Sequence, residues 1–257
     1  NIGDEPLENL SLLVRLEGEP FDLDTLKVYS GSFNPGDNFI IWDKRDIDEL
    51  GFLDVNQEGK VEFWVELKDE WTLTTDRGFN QIIKTKVTVG QVKEEFINKV
   101  SSKLEVDSQI SFEDQVYFEN SGPYPPEKGK YTTLTVVLDA KNYYNEVKNV
   151  KVRGILPSYV DLTGQIQPKD AKLVFDQESR EFIWEVGDLA IGTGVLSQGP
   201  QLAFQIRVKP QDDLPLLRLI QNLKIEGEDQ FVSSKIENDI GDIVLDLQNL
   251  QTENTQN

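Results

Sequence analysis

Lys60-Val-Glu-Phe-Trp-Val-Glu-Leu67 alternates apolar and polar side chains with a period of two, the period at which successive side chains of a strand point to opposite faces. Val61, Phe63, Val65 and Leu67 fall on one face and Trp64 on the other, so the strand either packs on both sides or exposes a tryptophan. The same alternation runs through Leu10-Ser-Leu-Leu-Val-Arg-Leu16 and Gln81-Ile-Ile-Lys-Thr-Lys-Val-Thr-Val89, and turn residues punctuate it at Gly31, Asn34-Pro-Gly-Asp-Asn38 and Asn56-Gln-Glu-Gly59. From Val92 to Val100 the apolar residues Val92, Phe96, Ile97 and Val100 recur at helical spacing, which predicts a short helix or an irregular crossover. Alternation returns from Leu104 to Phe118, read as the closing strand material of a first domain.

Three prolines and two glycines in Asn120-Ser-Gly-Pro-Tyr-Pro-Pro-Glu-Lys-Gly129 forbid helix and central strand alike. Pro123, Pro125 and Pro126 bias the segment toward extended backbone, the expected behaviour of a short stiff strut between domains. Beyond it, strands are predicted at Tyr131–Leu138, Asn149–Leu156, Lys172–Phe175, Glu181–Val186, Leu202–Val208, Leu217–Ile225 and Asp242–Leu247. Seven short strands separated by turn signals make an Ig-like sandwich the leading fold. A length of 257 residues accommodates two domains of ~100–150 residues each. The expectation is therefore an all-β chain of two tandem Ig-like antiparallel β-sandwich domains, 1–119 and 120–250, with a polar tail at 251–257.

Composition narrows the chemistry. Hydrophobic residues are 38% and charged residues 28% of the chain, an ordinary globular balance. The net charge of −20 repels phosphate backbones, so no nucleic-acid partner is expected. The chain holds no Cys, His or Met. That excludes disulfides, Ser-His-Asp triads, Cys-His dyads and zinc sites built on imidazole or thiolate, and without Met the sequence reads as an excised or processed piece of something longer. No apolar run approaches the ~20 residues that span a bilayer, so a membrane anchor is expected outside this stretch.

The remaining motifs read as structural. Gly192 and Gly194 begin a dinucleotide fingerprint whose third position is Ser197, and Gly194 and Gly199 have phosphate-loop spacing with Pro200 where the lysine belongs. Paired carboxylates such as Glu226 and Glu228 are the one catalytic set left open, and acids are too common here to single out a pair. For calcium, Asp54-Val-Asn-Gln-Glu-Gly59 imitates the start of an EF-hand loop, but Val65 stands where the bidentate glutamate belongs. Asp22 with Asp24, and Asp212 with Asp213, are further acidic pairs without a defined ligand set. No catalytic, cofactor or metal residue is assigned. Trp42, Trp64 and Trp71, with Tyr143 and Tyr144, are weighed as a carbohydrate platform against packing in the cores, and Trp184 is expected in a core. A Lys-Asn isopeptide crosslink is a further option for which the sequence selects no partners.

The run Asn120-Ser-Gly-Pro-Tyr-Pro-Pro126, then Leu156-Pro-Ser-Tyr-Val160, Trp184 with Gly187, Gly192-Thr-Gly194 and Phe204-Gln-Ile206 resembles the repeat of large membrane-anchored surface proteins of candidate-phylum bacteria. That repeat is related to a widespread bacterial Ig-like surface repeat of unknown function. The first half is similar to those proteins through Gly31-Ser-Phe-Asn-Pro-Gly-Asp-Asn-Phe-Ile-Ile-Trp42 and Gln57-Glu-Gly-Lys-Val-Glu-Phe63. The resemblance implies an exported, tandem-repeat ectodomain without enzymatic activity, a spacer or adhesin-like part of the cell envelope. Its expected partners are other domains of the same surface protein, neighbouring envelope proteins or glycans. It carries over no binding residues.

Overall fold

The computed structural model describes residues 1–113, 116–212 and 215–247. The expected polar tail, Asp213, and part of the Leu104–Phe118 stretch lie outside the described residues. Contacts divide the chain into two compact units, Asn1–Thr72 with Asn80–Val100, and Leu73–Phe79 with Ser101 onward. Nearly every element in both is an antiparallel strand.

The first unit contains β1 (Leu7–Glu8), β2 (Leu12–Glu17), β3 (Phe21–Val28), β4 (Ser32–Asn34), β5 (Phe39–Trp42), the single-turn α1 (Asp48–Gly51), β6 (Phe52–Leu53), β7 (Phe63–Leu67), β8 (Ile82–Val89) and β9 (Val92–Lys99). A five-stranded sheet runs in the order β4-β5-β2-β8-β9, with two-stranded ribbons β3-β7 and β1-β6 beside it. Val14 and Leu16 of β2, Ile40 and Trp42 of β5, Phe21 of β3 and Leu50 of α1 make the buried core, with Phe63 and Val65 packed against it. Alternation in Lys60–Leu67 is thus resolved: Phe63 and Val65 turn inward, while Trp64 is 66% exposed. The helix or crossover predicted at Val92–Val100 is instead the edge strand β9, paired along its whole length with β8. A spacing of four is a multiple of two as well as close to 3.6, so Val92 and Phe96 share a strand face.

The second unit holds β10 (Leu104–Ser111), β11 (Thr132–Asn142), β12 (Val147–Ile155), β13 (Val160–Gln167), β14 (Lys172–Phe175), β15 (Glu181–Leu189), β16 (Gln201–Val208), β17 (Leu216–Asp229) and β18 (Ser234–Asp246). One sheet runs β10-β11-β16-β13 and the facing sheet β14-β15-β12-β17-β18. With β10, β11, β13 and β16 as strands A, B, D and E, and β12, β17 and β18 as C, F and G, these are the A-B-E-D and C-F-G orders of an immunoglobulin sandwich, extended beside C by β15 and β14. Leu134, Val136, Leu138, Phe204 and Ile206 from one sheet face Val152, Phe182, Trp184, Leu219 and Ile225 from the other in a single core. Phe182 and Phe204 meet across it with ring centroids 5.5 Å apart. Each such ring removed from water contributes about 1.5–3 kcal/mol.

Two expectations about the boundary are corrected. The stretch from Leu104, expected to close the first domain, is the A strand of the second sandwich, in continuous register with β11 from Leu104↔Asn142 to Ser111↔Thr135. The proline-rich segment 120–129 is therefore no strut between domains, because it connects two neighbouring strands of one sheet. Asn120 anchors it by donating from Nδ2 to the carbonyls of Ser111 and Phe112 and to Thr135 Oγ1. Thr132 Oγ1 donates to the Pro123 carbonyl at 2.8 Å, and the Tyr124 ring stacks on Phe112 at 4.6 Å. The division expected at 119/120 thus falls at Val100.

Candidate functional site

The feature that sets the second unit apart is a buried polar knot just ahead of its first strand. Asp229, the last residue of β17, is fully buried and accepts four hydrogen bonds. Its Oδ2 takes the Ser102 amide at 2.7 Å and Asn145 Nδ2 at 2.8 Å. Its Oδ1 takes the amides of Phe231 and Val232 in the turn before β18. Ser102 Oγ donates to Asn142 Oδ1 at 2.7 Å and accepts from the amides of Tyr144 and Asn145. Asn142 Nδ2 in turn donates to the carbonyls of Asn145, Leu189 and Ala190. A polar group without water is tolerated in a core only when its bonds are filled, and here each side chain fills the others'. Entry segment, β11–β12 turn, β15 end and β17–β18 turn are pinned at one pole.

The last strand of the sandwich ends at the other pole. β17 is 14 residues long; its Asp229 end faces Ser102, whereas at its Leu216 end the partner is Asp246, the last residue of β18. Leu247 follows, donating its amide to the Pro215 carbonyl at 2.9 Å. At ~3.3 Å per residue, the start of the first strand and the end of the last are separated by roughly 40 Å. Sequence gave no sign of this: Asp229 is one of 46 acidic residues, and Ser102 is 127 positions away from it.

The carboxylate pair Glu226 and Glu228 is brought together on the outer face of β17, but in structural bonds. Glu226 is 9% exposed, accepting Arg153 Nε at 2.9 Å and Lys235 Nζ at 2.7 Å. Arg153 also reaches Glu181, and Glu228 accepts from Asn149 Nδ2. Burial pushes the Glu226 carboxyl upward, but the Lys235 and Arg153 hydrogen bonds outweigh it and hold the carboxyl below its usual range. A glycosidase acid needs the opposite shift. Because its folded pKa is depressed, Glu226 contributes stability that is present above the unfolded carboxyl pKa and lost as pH falls through the folded value. We expect Glu226→Gln to cost about 2 kcal/mol at neutral pH, and the gap between variant and wild type in thermal melts to close in acid below pH ~4. A gap of equal size at pH 3 would remove the ion network from the account.

The other sequence-flagged residues disperse. Trp42, Tyr144 and Trp184 are buried, and Tyr143 lies under the Lys103 ammonium with its hydroxyl on Glu105. Trp71 is half-buried. Trp64 alone of the set stands in solvent, opposite Lys27 on β3; alternation along the ribbon puts exposed Tyr29 on the same outward face. A cleft of about 500 Å³ in the second unit, floored by Pro168, Trp184 and Pro200, carries Lys151 and Lys172 against Asp170 and Glu185, so its charges cancel. Asp54–Gln57 is a turn, with the Gln57 amide on the Asp54 carbonyl. Asp22 accepts the Asp24 amide, and Asp212 pairs with Lys128. Among the described residues no three acidic groups converge on a metal position, and no lysine is among the buried polar side chains that an isopeptide would need. Gly192 and Gly194 sit in a tight turn, with the Leu196 amide on the Gly192 carbonyl and the Gly194 amide on Ser197.

No family model matches the chain, and no curated protein does. Among solved structures, the major pilin SpaD from Corynebacterium diphtheriae is 11% identical over 93% of this chain and 61% of its own, with a TM-score of 0.34. The C-terminal domain of the Streptococcus pyogenes antigen I/II-family protein AspA is 10% identical over 90% of this chain and 84% of its own, at 0.36. The major pilin subunit BcpA of Bacillus cereus, in its D312A form, is 9% identical over 89% and 64%, at 0.35. At these scores the likenesses carry no weight for function.

Proposed function

We propose that the chain is a non-catalytic extracellular module of a bacterial cell envelope, working as a spacer that transmits load between other domains of a longer surface protein. The observation that carries this reading is that the first strand of the second unit begins and its last strand ends at opposite poles of the sandwich. A sandwich whose first strand begins beside Asp229 and whose last strand ends beside Leu216 adds its long dimension to whatever it is placed in series with. Tension on such a unit shears strands along their length and loads many hydrogen bonds together, where peeling would load them one at a time. The knot at Ser102 resists the first slip of the entry strand. Its partners on this reading are neighbouring domains and envelope proteins, and the acidity serves solubility in the extracellular medium.

Single-molecule stretching tests it directly. The chain has no cysteine, so handles at Ser101→Cys and Leu247→Cys are unique. The expected trace is one cooperative opening of the second unit, releasing roughly 450–500 Å of chain, at a force that drops when Asp229→Ala is added. Gradual extension at low force, unchanged by that substitution, would sink the load-bearing reading.

A further inference from the structure

We propose that β9 is a self-association edge, through which two copies of this chain pair antiparallel about a two-fold axis and join their five-stranded sheets into one of ten strands.

An outer strand with open N–H and C=O groups is a template for another strand, and proteins blunt such edges with short strands, bulges, proline or charge. The outer strands of the other large-sheet edges are blunted. β4 has three residues and ends at Pro35, and β14 has four. In β13 the register shifts around Gly164, whose φ is +88°. β18 carries a line of acids and a positive-φ Gly241, and β10, also of eight residues, lies against β17 and β18, with its Leu104 carbonyl accepting from Asn238 Nδ2. β9 has eight residues, no proline, no glycine and no register shift against β8. Val92, Phe96 and Ile97 on it are 64%, 56% and 56% exposed.

Polarity fixes how a partner strand would sit. The Val100 amide donates to the Gln81 carbonyl on the β8 side at 2.9 Å, so by antiparallel alternation Lys93, Glu95 and Ile97 turn their N–H and C=O groups away from β8. Two copies centred on Ile97 would exchange both of its backbone bonds, as a hydrogen-bonded pair must. That register stacks Ile97 on its own counterpart and opposes no like charges along β9. Centring on Glu94 or Glu95 opposes two glutamates, and centring on Phe96 opposes Lys93 to Lys99. Charge favours a second copy as the occupant: β9 carries two lysines and two glutamates, a neutral strip on a chain of net charge −20, so the contact avoids the repulsion that the rest of the surface imposes. The interface is isologous and closes as a dimer.

Sedimentation velocity of the full chain over about 1–200 μM reads the outcome. The wild type is expected to move from monomer to dimer across that range. Ile97→Lys, which sets two ammonium groups against each other on the axis, is expected to raise the dissociation constant at least ~10-fold, about 1.4 kcal/mol. Ile97→Pro, which removes an outward-facing N–H from the strand, is expected to weaken pairing at least as much. Circular dichroism confirms that each variant is folded. A wild type that stays monomeric throughout, or an Ile97→Lys variant that dimerises as tightly as the wild type, overturns the proposal.

Discussion

Asp229→Ala is expected to destabilise the second unit by about 4 kcal/mol, a large part of the 5–15 kcal/mol that holds a typical domain together. The estimate follows from what is left behind. Four donors, the amides of Ser102, Phe231 and Val232 and the Asn145 Nδ2, lose their acceptor inside a fully buried site. Each stranded buried donor costs about 1–3 kcal/mol, partly offset where the truncation admits water. Asp229→Asn keeps the shape and one acceptor oxygen but turns an NH2 group toward other donors, and should cost about half as much. Denaturant unfolding followed by circular dichroism measures the loss, and hydrogen exchange locates it: protection should fall first at Ser102, Phe231 and Val232. A loss under ~0.5 kcal/mol would mean that the knot is ornamental and that core packing alone holds the entry segment.

How much of this was legible in sequence depended on whether the cause was local. β2, β7 and β8 show their alternation openly, and in the second unit β11, β12 and β14 to β18 were each anticipated in part. β13 was not, because its alternation breaks at Thr163-Gly164-Gln165, where the register against β16 shifts. The segment 120–129 was misassigned for a different reason. Proline and glycine state that a stretch is neither helix nor central strand, and they are silent on whether the flanking strands belong to one sheet. What decides that is Asn120 reaching Ser111, Phe112 and Thr135 at once, a contact that local composition does not encode. The polar knot was illegible for the same reason, since it unites Ser102, Asn142 with Asn145, and Asp229 from three separate segments. The tryptophans divided by neighbour: nothing in Trp42 or Trp64 taken alone says that one is sealed in the core and the other faces solvent.

Gly31→Ala should cost the first unit about 3 kcal/mol, and the reason is the tryptophan it shelters. A Cβ at this position would stand 2.4 Å from Trp42 Nε1 and 2.6 Å from its Cδ1, inside any tolerated contact. The indole has no easy retreat. It is fully buried, its Nε1 donates to the Tyr29 carbonyl at 2.8 Å, and Phe63 packs near it with centroids 6.4 Å apart. Overpacking of a filled core costs about 1–3 kcal/mol, and breaking the buried indole bond adds about 1 kcal/mol. Because the clash is with the five-membered edge of the indole, a smaller ring should relieve it. Trp42→Phe alone is expected to lose about 2 kcal/mol through lost volume, and Gly31→Ala in that background should then cost little more. The resulting coupling, at least ~2 kcal/mol, is what a double-mutant cycle measures for side chains in direct contact. If the two losses simply add in urea unfolding, Gly31 is required for something other than room for Trp42.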